Sequence, residues 1–128
     1  DQTITTHYTQ QIRSIRQILV HLIYSASNNH QRIVRLQYNK VLEFPDYRQN
    51  DDLWISLQDY QHADWNDLIQ LWKFYNRHII HIIKTVDITQ LNNCWFDFEG
   101  TKVTLHDMIE GYPAHLKLHI NEIHELCE

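Results

Sequence analysis

Glycine and proline are scarce in this chain, with two of each in 128 residues. Both residues punctuate turns, so their scarcity argues against a many-stranded sheet or barrel and favours a few long helices. Cysteine is equally sparse. Cys94 and Cys127 cannot build a disulfide framework, and neither belongs to a CxxC pair. Both are expected to be free thiols, neither has neighbours that mark a nucleophile, and a reduced, cytoplasmic setting is the default. An excess of positive charge is also missing. The formal net charge is −5 with histidines neutral, which gives no basic footprint for nucleic acid. No apolar run approaches the roughly 18–20 residues of a membrane span, and no signal-peptide pattern opens the chain. The first residue is Asp1 rather than Met, so a trimmed chain with something upstream is expected.

What is present is ordinary in all respects but one. The 43% hydrophobic and 21% charged fractions are those of a globular protein, and the length suits a single domain over residues 1–128. The outlier is histidine, with ten in the chain. Neutral imidazoles serve as ligands, bases or plain surface residues, so their arrangement has to decide.

Apolar periodicity predicts three helical stretches. The first runs from about Thr9 to Val41, with Ile12, Ile15, Leu19, Leu22, Ala26, Ile33 and Val34 at helical spacing. Ser25–Asn29 inside it has weaker helix propensity, without a Gly or Pro to enforce a break. Phe44-Pro45-Asp46 ends it, because proline disfavours helix in the residue before it. A connector to about Ala63 follows, with a helical turn expected around Asp52 to Leu57. The second helix starts on Asp64 as N-cap, carries Asp67 in its first turn, and runs to near Asp87. Its stripe is Trp65, Leu68, Ile69, Trp72, Tyr75, Ile79, Ile82 and Val86. Cys94 to Phe98 alternates, then meets Gly100. An extended segment is expected there, but not a sheet, because an isolated strand pair is not stable. The third helix begins after Thr104 as N-cap, with Asp107 at its third position, and runs to about Leu126. Pro113 inside it is expected to cost about 3 kcal/mol or to kink it.

His115 and His119 are four residues apart on that helix, about 40° around it and one turn along, where two imidazoles close on one metal ion. In so histidine-rich a chain such a pair arises readily by chance, and a hydrated helix face is the plain alternative. The pair is not part of an HExxH, since residue 116 is Leu, so a zincin-type protease is not supported.

Ile18-Leu19-Val20-His21-Leu22-Ile23-Tyr24-Ser25-Ala26-Ser27-Asn28-Asn29-His30-Gln31-Arg32 resembles the second helix of the DinB/YfiT-like metal-binding four-helix bundles. Leu71 to His78 is similar to that family's third helix. Val103-Thr104-Leu105 leading to His115-Leu116-Lys117-Leu118-His119-Ile120-Asn121-Glu122-Ile123 is similar to its last. The resemblance spans about residues 14–126. It implies an all-α, up-down bundle of the four-helix type and a three-histidine site at His21, His115 and His119. Nickel or zinc would be the divalent metal, with water in the remaining positions. Open positions on such a metal suit Lewis-acid chemistry on water or a thiol. Three departures from the pattern stand out. Tyr24 replaces an Asp that the family carries three residues after the first ligand, and Pro113 is atypical of the last helix. Relatives also carry a further helix upstream, with a Trp-Ser turn where Arg13-Ser14 stands, so an N-terminal helix is expected to be missing, or residues 1–10 and a partner chain to cover its groove.

Around the first helix Ser25, Asn28 and Arg32 fall within about 40° of His21. Asn28 and Arg32 are candidates for orienting a carboxylate-bearing substrate, with Tyr75 and its neighbour Asn76 as weaker candidates, and Glu122 for holding a ligand ring. Polar packing is the alternative for all of them. His30 lies about 180° from His21 and should not reach the same metal. His78 and His81 should flank the apolar stripe, and His7, His62, His106 and His124 should be surface residues. Trp65, Trp72 and the other aromatics are read as core rather than ligand stackers.

Three readings of function stay open, the last of them a purely structural helical domain. Relatives implied by the resemblance include bacillithiol-type S-transferases and a mycothiol-dependent isomerase. The first reading is therefore a metal-dependent enzyme, either a transferase using a low-molecular-weight thiol or a hydrolase. The second is a non-catalytic metal- or ligand-binding bundle. A small-molecule substrate, a homodimer, and the absence of nucleic-acid and membrane partners complete the expectation.

Overall fold

The computed structural model describes residues 14–127, with the side chains at 47, 49, 115, 116, 118–120 and 122–127 outside the described set. The expected positions at His7 and in residues 1–13 therefore lie outside it. Helix α1 is Ile15–Leu36, and a 3-10 turn at Tyr47–Asn50 leads into the short α2, Asp51–Ser56. Helix α3 is Trp65–Lys84, followed by a 3-10 turn at Ile88–Gln90. Strands β1 (Cys94–Phe96) and β2 (Lys102–Thr104) then lead directly into α4, Leu105–Cys127.

The helix ends are set locally. Ser14 accepts from the Gln17 backbone N–H while the Gln17 side chain accepts from Ser14, a reciprocal cap on α1. Asp64 caps α3 through the Asp67 N–H at 2.9 Å. Thr104 and Asp107 cap α4 reciprocally, each at 3.0 Å. The Ser25–Asn29 stretch does not break α1, and α4 continues through Pro113. The first helix ends at Leu36 rather than near Val41. Residues beyond it bond to the hairpin instead: the Leu42 N–H donates to Cys94 O at 2.8 Å, and the Cys94 N–H to Lys40 O at 3.0 Å.

The extended segment is a true antiparallel pair, contrary to expectation, with Cys94 opposite Thr104 and Phe96 opposite Lys102. Two features keep so short a ribbon in place. The Val41–Cys94 bridge covers one edge. At the tip, Asp97 Oδ1 accepts from the Glu99 and Thr101 N–H groups at 2.9 and 2.8 Å, an Asx-type turn that uses Gly100 at φ 83°.

Helix α1 packs against α3, α4 and α2, and so forms the centre of the bundle. Its apolar side supplies both cores. Ile15, Ile18 and Leu22 meet Trp65 and Trp72 at one end, while Ala26, Ile33 and Leu36 meet Ile79, Leu105, Trp95 and Tyr112 at the other. Burying each large aliphatic side chain contributes about 1.5–3 kcal/mol. Asn93 ties the second core together, its Nδ2 donating to Leu36 O at 2.6 Å and its own carbonyl accepting from the Leu105 N–H at 2.8 Å. Among the described residues no helix is long and apolar enough to cross a membrane.

Candidate functional site

With its apolar side committed to the cores, α1 presents a polar row at i, i+4, i+7 and i+11. His21, Ser25, Asn28 and Arg32 are that row, and all four line one cavity of ≈ 370 Å³. The facing wall is Val103 from β2 and Met108, Gly111 and Tyr112 from α4, with Trp95 of β1 between them. Tyr24, Asn29, Asp46, Arg48, Asp97 and Asp107 also line it. One wall is thus a line of hydrogen-bonding groups and the other largely apolar, the usual division of a small-molecule site.

His21 stands at one end of the row. Its Nδ1 lies 2.9 Å from Asp51 Oδ1 and 3.0 Å from the Tyr24 hydroxyl. No Asp occupies position 24, and the carboxylate at this ring comes instead from α2. Two turns along, Asn28 is only 8% exposed and lines the cavity, where its amide offers both a donor and an acceptor. Arg32, at the far end, is fixed on three sides. Its Nη2 donates to Pro45 O at 2.9 Å, and its guanidinium lies 4.1 Å from the Trp95 ring centroid and 5.1 Å from that of Phe44.

Arg48 clasps the connector to the hairpin. Its guanidinium reaches Asp46 Oδ2 at 2.9 Å and Asp97 Oδ2 at 3.0 Å, and it lies 5.3 Å from the Phe98 ring centroid. Burial works against ionisation of Asp46. The Arg48 side chain, the Arg48 and Phe98 N–H groups and the Arg48 charge outweigh it, so the carboxyl is held below its ordinary range. A carboxyl depressed in the folded state stabilises the fold above its unfolded pKa of about 3.9, and that contribution disappears as pH falls through the lower folded value. Asp46→Asn should therefore lower stability at pH 7 and narrow that deficit as the pH drops below about 4. Urea unfolding of both proteins at pH 7 and pH 3 measures this, and a deficit that does not change with pH would refute it.

Tyr112 donates to Asn76 Oδ1, and burial pushes its hydroxyl pKa up to about 12, so it remains a donor at neutral pH. Asn76 in turn donates to Trp72 O at 2.7 Å. Neither Asn76 nor Tyr75 lines the cavity. The Tyr75 hydroxyl lies 3.2 Å from His30 Nδ1, in a group where His30 also packs edge-to-face against His78 at 5.3 Å. Burial, then the neighbouring His78, lowers the His30 pKa. His30 lies away from the cavity, as its angle from His21 predicts.

The side chains of His115, His119 and Glu122 lie outside the described residues, as do those of His124 and Cys127. Among the described residues no three His, Cys, Asp or Glu side chains form a group able to hold a metal. Cys94 is a buried free thiol. Sequence reasoning missed Asp51, Trp95 and the Arg48 clasp. None carries a local signal, because each reaches the site from a connector or hairpin distant in sequence.

No protein-family model matches the chain, and no curated protein matches it either. Among solved structures it is similar to YfiT from Bacillus subtilis, described as a probable metal-dependent hydrolase with an unusual four-helix bundle topology. The two share 22% identity and superpose with a TM-score of 0.84, over 98% of this chain and 71% of the other. Across nearly its whole length, then, the chain has the fold of the YfiT four-helix bundle.

Proposed function

We propose that this protein is a divalent-metal-dependent enzyme of the hydrolase type, with His21, His115 and His119 holding the metal and the α1–α4 cavity receiving a small substrate. The observation that carries this reading is His21 itself: a largely buried imidazole at a cavity wall whose Nδ1 is held by a carboxylate. Metal-ligating histidines almost always donate their second ring N–H in this way. Helical periodicity adds support. Met108, Gly111 and Tyr112 line the cavity, and the same face of α4 recurs at positions 115 and 119. The donor set is three imidazoles, which suits nickel or zinc. The metal, when bound, supplies Lewis acidity toward water or a thiol.

The chain's own residues do the rest. Asn28 offers a donor and an acceptor to a substrate lying along α1. Arg32, 4.1 Å from the Trp95 ring centroid, supplies fixed positive charge for a carboxylate at the far end. Met108 and Val103 pack against the apolar side of the ligand and exclude water. A cavity of this size suits a small molecule, and hydrolysis is put before thiol transfer because the structural neighbour is described as a probable hydrolase.

Elemental analysis of protein purified without a histidine tag should find about one nickel or zinc per chain. Chelation should abolish hydrolysis across a panel of small carboxylate-bearing esters and amides, and restoring the metal should recover it. Absence of bound metal after incubation with either ion would overturn the proposal. Metal binding with turnover only in the presence of an added thiol would move the reaction to transfer.

A further inference from the structure

Asp51 is the first residue of α2 and stands 30 residues from His21 in sequence. Its Oδ1 nevertheless lies 2.9 Å from His21 Nδ1, with the two side chains 18% and 13% exposed. The Tyr24 hydroxyl also lies near that nitrogen, at 3.0 Å. Tyr24 is itself fixed, edge-on to the His21 ring at 5.1 Å and tilted against Trp54 of α2 at 5.4 Å. The short helix therefore reaches the ring twice, once by its carboxylate and once by the indole behind Tyr24.

We infer that Asp51 is the positioning residue of His21: it holds the proton on Nδ1, fixes the plane of the ring and presents Nε2 as the ligand nitrogen. This rests on the proposed reading of His21 as a metal ligand. A neutral imidazole carries its proton on either nitrogen, and an ionised carboxylate only accepts, so a carboxylate on Nδ1 selects one tautomer. A phenol both donates and accepts, so Tyr24 alone leaves the choice open and serves to limit ring rotation. With Nδ1 engaged by the carboxylate, the ring is held so that its distal nitrogen faces a divalent cation in a fixed direction. Position 24 is occupied by Tyr, so the carboxylate has to come from another element, and α2 delivers it.

The test has two readouts. In metal-free protein labelled with ¹⁵N-histidine, the His21 ring shifts should report the Nδ1–H tautomer in the native chain and a mixture in Asp51→Asn. Asp51→Glu should restore the native pattern at least in part, and Tyr24→Phe should retain it. Competition of nickel chloride against a chromophoric chelator should show a 10–100-fold weaker dissociation constant in Asp51→Asn, with recovery in Asp51→Glu. An Nε2–H tautomer in the native protein overturns the inference without any variant. Native nickel affinity in Asp51→Asn, with binding lost in His21→Ala, overturns it and leaves the metal reading standing. Nickel binding that survives His21→Ala, or is absent from the native protein, overturns the metal reading and the positioning role with it.

Discussion

His21→Ala should reduce nickel or zinc affinity by on the order of 1,000-fold or more, beyond the 10–100-fold expected for losing only a supporting hydrogen bond. The reasoning is one of count. A three-imidazole site that loses one protein ligand keeps two, and the metal must then fill its shell from solvent. The effect on the fold should be much smaller. His21 is on the cavity side of α1, away from Ile33, Leu36 and Ile79 in the main core. Its loss leaves the Asp51 carboxylate beside Tyr24, which also contacts the His21 nitrogen. Isothermal titration with nickel chloride, beside thermal melts of the same samples, separates the two effects. A variant that melts like the native protein and still binds tightly would remove His21 from the site.

The largest effect on stability is expected at Leu36→Ala. Leu36 is 0% exposed and ends α1 where Ile79 of α3, Trp95 of β1 and Leu105 of α4 converge. Its carbonyl also accepts the Asn93 amide. Truncation leaves a cavity between four elements that cannot all move inward, and such substitutions cost 2–5 kcal/mol. For a single domain of this length that is a large share of a total of about 5–15 kcal/mol. Leu57→Ala is the comparison. Leu57 is 75% exposed just beyond α2, so its loss should change stability by less than about 0.5 kcal/mol. Urea unfolding with a common m-value measures both. Equal effects at the two positions would contradict the assignment of the core.

Much of the fold was legible because the signals are local. The apolar stripe of α3 and its Asp64 cap are contained within Asp64–Val86, and the reciprocal Thr104–Asp107 cap lies within four residues. The row His21, Ser25, Asn28 and Arg32 follows from 3.6 residues per turn, and the structure brings all four to one cavity. The hairpin was harder to read. Three-residue strands carry too little periodicity to distinguish from a loop, and this pair persists because residues 40–42 bond to its edge. The same bonding ends α1 at Leu36, five residues before the apolar pattern runs out at Val41. Tyr75 shows the opposite failure: its helical angle admits it near the cavity, and the packing of α3 against α1 turns its hydroxyl to His30.

The sequence by itself determined that this is a helical bundle, where α3 and α4 begin, and which face of α1 is polar. Its apolar pattern starts α1 too early, near Thr9, whereas the helix begins at Ile15 on the Ser14 cap. Periodicity and capping act within a few residues, so one chain read in order contains them. Only the tertiary structure decided what meets that polar face. Asp51 comes to His21 across 30 residues and Arg48 to Asp97 across 49, and Trp95 supplies the surface on which Arg32 lies. Those partners are selected by which connectors the packed helices bring together, and that choice follows from burial of the core rather than from any pattern next to the residues themselves.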